Sequence, residues 1–77
     1  MRLLLFTRPG CQLCGEAREL LKESGREPEM VNIEGDVALL RDYATRIPVL
    51  RRDDTGAELG WPFDDRQLRE FTAPRRG

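Results

Sequence analysis

Cys11 and Cys14, separated by Gln12 and Leu13, are the only cysteines in the chain, and there is no histidine. Without an imidazole there is no Cys-His or Ser-His-Asp nucleophile pair and no histidine metal ligand, and Gly15 after Cys14 excludes a haem attachment sequence. One Cys-x-x-Cys supplies half of the four thiolates a structural zinc or iron–sulfur site generally requires, so a metal here would need a second chain or a borrowed thiol. A disulfide across so few residues closes a small loop and constrains the unfolded chain little. The pair is better suited to reacting than to bracing, although half of a shared metal site and an inert pair remain alternatives. At a helix start, unpaired N–H groups and the positive end of the helix dipole favour thiolate, which makes Cys11 the nucleophile. Cys14 lies one turn along on the same face and can resolve a mixed disulfide formed at Cys11. Arg8 adds positive potential at the mouth, and Pro9-Gly10 shapes the tight entry to the helix.

The elements that must hold this pair are legible on both sides of it. Leu3 to Phe6 is a continuous apolar run ending at Pro9-Gly10, as in a short central strand. From Cys11 to Ser24, Leu13, Ala17, Leu20 and Leu21 recur at helical spacing, with Gly25 as the C-terminal cap. Pro28 to Ile33 reads as a second strand, and Glu34-Gly35-Asp36 opens a helix carrying Val37, Leu40, Tyr43 and Ala44. Ile47-Pro48-Val49-Leu50 and Ala57-Glu58-Leu59 flank the turn Asp53-Asp54-Thr55-Gly56 and read as a hairpin. Asp64 with Gln67 predicts a capping box, and Phe63 with Leu68 a staple, for a last helix reaching about Thr72. The order βαβαββα predicts an α/β domain with a four-stranded mixed sheet flanked by helices. One domain over 1–72 is expected, with a flexible tail over 73–77.

Composition narrows the partners. A formal net charge of -1 with 35% charged residues gives no field suited to nucleic acid. The apolar start is too short for a signal-peptide core or a membrane span, so a soluble, cytoplasmic protein is expected.

The arrangement resembles the glutaredoxin family over nearly the whole chain: Arg8, Cys11 and Cys14, then Ile47-Pro48, then Leu59-Gly60 followed by Asp64. The segments Arg46-Ile47-Pro48-Val49-Leu50 and Gly60-Trp61-Pro62-Phe63 are most similar to short bacterial glutaredoxin-like proteins. The resemblance implies a thioredoxin-like fold, a cis bond before Pro48, and a monomeric thiol–disulfide oxidoreductase needing no metal or resident cofactor. Its partners would be disulfide-containing proteins or glutathione as co-substrate, with roles in cell redox homeostasis. Glutathione would lie with its glycine carboxylate near Arg8, its backbone along Ile47 and Pro48, and its γ-glutamyl end near Gly60 and Asp64. The sequence departs from the family at Gln12-Leu13 in place of Pro-Tyr, at Arg46 in place of threonine, and at Trp61 in place of a second glycine. If the third strand is antiparallel to the first, the fourth is parallel to it, and Trp61 emerges beside Cys11, where it could line the substrate groove. A Trp61 packed inward, away from the sulfurs, is the alternative. Two other functions fit the same family: a cluster-bridged dimer using Cys11, and a redox-silent interaction domain.

Overall fold

The computed structural model describes residues 2–74. Strand β1 spans Leu3–Thr7, helix α1 Gln12–Glu23, and strand β2 Glu29–Asn32, followed by a 3-10 turn at Ile33–Gly35. Helix α2 covers Val37–Tyr43, strands β3 and β4 cover Val49–Arg52 and Glu58–Gly60, and helix α3 covers Asp65–Thr72. The sheet order is β2-β1-β3-β4. β2 is parallel to β1, whereas β3 is antiparallel to β1 and β4 to β3, so β4 runs parallel to β1. The expected tail over 73–77 lies mostly outside the described residues.

Local chemistry explains where the helices begin and end. α1 stops at a Schellman turn: Gly25 has φ 77°, its N–H donates to the Lys22 carbonyl at 3.0 Å, and the Arg26 N–H donates to Leu21 at 2.9 Å. Asp36 caps α2 by accepting from the Ala38 N–H at 2.8 Å. α3 opens with both halves of a capping box: Asp64 Oδ1 accepts from Gln67 N at 2.8 Å, and Gln67 Oε1 accepts from Asp64 N at 3.0 Å. Phe63 and Leu68 are both buried in one cluster, as the staple requires.

The alternation of side chains along β1 divides the core. Leu3, Leu5 and Leu50 pack with Ala17 and Leu21 of α1 and with Phe63 and Leu68. Phe6 and Val49 face the other way, onto Ile33 and Tyr43, and the Phe6 and Tyr43 rings stack with centroids 4.5 Å apart. Two apolar residues with helical spacing do not face this core. Leu13 is 48% exposed and Val37 84% exposed. On α1 the inward stripe is Cys14, Ala17 and Leu21, so Cys14 occupies the slot that spacing alone assigns to Leu13. The third strand begins at Val49 rather than Ile47, because Pro48 has no N–H to donate to a ladder.

Two polar clusters brace the sheet. Arg52, 5% exposed, is bidentate to Asp54 at 3.0 and 2.8 Å and donates to the carbonyls of Phe71 and Ala73 at 2.7 and 3.0 Å. Its guanidinium holds the Asp54 carboxyl below its ordinary range. Glu58 accepts from the Tyr43 hydroxyl, from Arg46 at 3.1 Å and from Arg51 at 3.4 Å. Burial pushes the Glu58 carboxyl up, but the hydrogen bonds from Tyr43 and Arg46 and the charges of Arg46 and Arg51 outweigh it and hold the group below its ordinary 4.5. The bond to Glu58, then burial, then the Glu58 charge raise Tyr43 above its ordinary 10.0.

The two signs predict a plateau with two edges. A depressed carboxyl contributes stability that is present above pH 4.5 and is lost as pH falls through its folded value. A raised phenol contributes stability that is present below pH 10.0 and is lost as pH rises through its folded value. Thermal unfolding followed across pH should therefore show both edges in the wild type, and Glu58→Gln should weaken both, leaving the part of the acid edge that Asp54 supplies and the part of the alkaline edge that burial of Tyr43 supplies. Edges unchanged in that variant would remove the cluster as their origin.

Candidate active site

Cys11 is the N-cap residue of α1, in extended backbone (φ -84°, ψ 107°), and its Sγ accepts from the Cys14 N–H at 3.2 Å. A sulfur therefore fills the position usually taken by a serine or aspartate oxygen, where an N–H of the first turn needs an acceptor. The two sulfurs are joined in a disulfide, with Cα atoms 5.3 Å apart. Their surroundings differ. Cys11 is half-buried, whereas Cys14 is 4% exposed and belongs to the inward face of α1. An external sulfur can approach Cys11, while Cys14 is reached through Cys11.

The strand register gathers Ile47, Pro48, Gly60 and Trp61 at the same end of the sheet. Phe6 pairs with Val49 and Val49 with Gly60. Continuing those pairings puts Pro48 abreast of Thr7, just before the turn that leads to Cys11. The Trp61 N–H donates to the Pro48 carbonyl at 3.2 Å, so Gly60 and Trp61 stand on the far side of Ile47 and Pro48. The Ile47–Pro48 and Trp61–Pro62 bonds are both cis. The Trp61 ring meets Phe63 edge to face at 5.0 Å and packs on the core cluster of α1 and α3. It is half-buried and does not line the cavity beside Cys11.

Two of the expected contacts are engaged within the chain. Arg8 pairs with Glu34 at 2.9 Å, so its positive charge is shared before any ligand arrives. Local pattern assigns Glu34 only to a helix start, because its pairing with Arg8 depends on the β1–β2 register, which sets Thr7 opposite Asn32. Asp64 caps α3 with one carboxylate oxygen. Asp64→Ala is therefore expected to cost about 1 kcal/mol of stability, read as a lower urea midpoint with an unchanged slope. An unchanged midpoint would remove Asp64 as a stabilising cap of α3.

A shallow cavity of about 310 Å³ opens beside Cys11, walled by Arg8, Gly10, Gly15, Arg18 and Met30. Met30 lies in β2, and its pairing with Leu5 places it on the α1 side of the sheet. Gly15 and Arg18 follow Cys11 by four and seven residues, a helical stripe visible in the sequence once Cys11 is fixed at the helix start.

The glutaredoxin-like domain (DUF836) family model matches residues 2–72. The chain belongs to that family. This glutaredoxin-like chain is similar to protein XcR50 from X. campestris, whose X-ray structure is 41% identical, with a TM-score of 0.82 over 94% of this chain and 99% of that one. Protein Ne2328 from Nitrosomonas europaea, solved in solution, is 34% identical, with a TM-score of 0.72 over 94% and 91% of the two chains. A point mutant of the thioredoxin-like protein BC3987, at 24% identity and a TM-score of 0.64 over 90% and 91%, shows the shared fold. No curated protein matches the sequence. The glutaredoxin-like domain thus has the thioredoxin-like architecture expected from its motifs, and its Cys11–Cys14 disulfide is compatible with redox chemistry.

Proposed function

We propose that this glutaredoxin-like protein is a thiol–disulfide oxidoreductase that reduces disulfides in polypeptides. The observation that carries the reading is the asymmetry of the pair: Cys11 caps a helix and is open to solvent on one side, while Cys14 is buried one turn behind it. The Cys11 thiolate attacks one sulfur of a target disulfide. That bond breaks, a Cys11–target disulfide forms, and the departing thiolate takes a proton from water or from Cys14. The Cys14 thiolate then attacks Cys11 Sγ, closing the intramolecular disulfide and releasing the second target thiol. Two electrons pass from the dithiol to the target, and a thiol or dithiol reductant must restore the pair.

Polypeptide disulfides are favoured over glutathione mixed disulfides because Arg8 and Asp64 already hold Glu34 and the start of α3. Trapping tests both statements. Cys14→Ser should accumulate covalent mixed disulfides through Cys11 when mixed with oxidised polypeptides, released by added thiol. Absence of such adducts, with Cys11 intact and accessible to alkylation, would sink the assignment. Glutathionylated peptide reduced much faster than a peptide–peptide disulfide would shift the substrate class to glutathione adducts.

A further inference from the structure

Three cations stand apart from the rest. Among the described residues, every other lysine or arginine is ion-paired with a carboxylate, whereas Arg18, Lys22 and Arg26 are not paired with any described one. All three lie along one groove, between the outer face of α1 and edge strand β2. The groove joins the Cys11 cavity, because Arg18 and Met30 wall both. Arg26, at its far end, donates to the Thr72 hydroxyl and the Ser24 carbonyl. Glu19 and Glu27 also border the groove. Met30, 42% exposed, supplies an apolar strip on the strand side.

We propose that this groove binds the acidic, extended chain segment flanking the target cysteine. The inference rests on the redox reading of Cys11 and adds a substrate class to it. Spacing supports an extended occupant. Lys22 follows Arg18 by four residues, about 6 Å of helix, which matches the repeat of about 6.6 Å between alternate residues of an extended chain. Arg18 follows Cys11 by seven residues, roughly 10 Å, or about three extended residues. The fitting segment carries carboxylates three and five positions from its cysteine. Met30 then lies under the chain, and Gly15 leaves room beside the sulfurs, since beyond its chain neighbours and the adjoining helix backbone no atom stands within 4 Å of where its Cβ would be.

The test separates binding from turnover. A capped peptide Ser-Ala-Ala-Glu-Ala-Glu, with serine in place of the cysteine, is titrated into isotope-labelled wild-type protein. Amide shifts at Gly15, Arg18, Lys22 and Met30 are expected to saturate and to fade with added salt. Arg18→Gln/Lys22→Gln, which keeps good helix formers, should weaken binding about tenfold with the shift pattern of the remaining fold intact. The same peptide with lysines for glutamates should bind less tightly. Equal shifts from both peptides, no shifts, or undiminished binding by the double variant would overturn the proposal. Cysteine versions of the two peptides, as disulfides, test the redox reading separately. Binding without reduction would keep the groove and remove the oxidoreductase, while reduction without charge preference would do the reverse.

Discussion

Cys11→Ser is expected to bring disulfide reduction down to the uncatalysed rate, whereas Cys14→Ser should keep the first exchange and lose the second. The difference follows from burial. A serine at position 11 leaves only Cys14, 4% exposed and on the inward face of α1, which an external disulfide cannot meet in line. A serine at position 14 leaves Cys11 at the helix N-terminus, still receiving the N–H of residue 14. That donor and the dipole both favour thiolate, the form that reacts. Alkylation of Cys11 in the Cys14→Ser variant should therefore already be near its plateau rate at neutral pH, where an ordinary thiol, at about 8.5, is mostly protonated. Equal formation of the first mixed disulfide by the two single variants would remove the assignment of separate roles.

Leu21→Ala should cause the largest loss of stability. Leu21 is fully buried, packs with Leu5, Leu50 and Leu68, and its carbonyl accepts the Arg26 N–H that closes α1. Truncating such a leucine costs roughly 2 to 5 kcal/mol. A domain of this size has about 4 to 11 kcal/mol in all, so the variant should lie near the edge of folding at room temperature. Leu13→Ala is the matched control, since Leu13 is 48% exposed and should change the denaturant midpoint little. Equal losses at the two positions would mean that α1 is rotated from the orientation described above. Because Cys14 shares the face of Leu21, Leu21→Ala should also speed alkylation of Cys14 in the reduced protein.

The parts legible in the sequence are those that depend on near neighbours. The Gly25 stop, the Asp64–Gln67 box and the Phe63–Leu68 staple each involve residues within five positions of one another, so a pattern suffices to find them. The hairpin and the parallel crossover followed from strand and turn residues, and they put Gly60 and Trp61 at the right end of the sheet. What helical spacing could not decide was which of Leu13 and Cys14 faces inward. A one-residue difference in phase rotates the stripe by about 100°, and only packing against Leu5 and Leu50 fixes it. The Arg8–Glu34 pair was hidden for a different reason: its partners are 26 residues apart and meet only through strand register. Trp61 combines both cases. Its place in the sheet was readable, but the destination of its ring depends on Phe63 and on how α3 packs.

The Arg52 latch has a consequence for amide hydrogen exchange. One buried guanidinium joins the β3 end of the hairpin to carbonyls at Phe71 and Ala73, while Arg26, just beyond α1, holds the Thr72 hydroxyl at 3.0 Å. The last turn of α3 is thus tied to two elements distant in sequence. Fraying there would break both carbonyl bonds to the Arg52 guanidinium and the Arg26–Thr72 bond, so the last turn of α3 opens together with the sheet rather than ahead of it. Its final amides should exchange in the same cooperative unit as those of β3, although helix ends ordinarily exchange first.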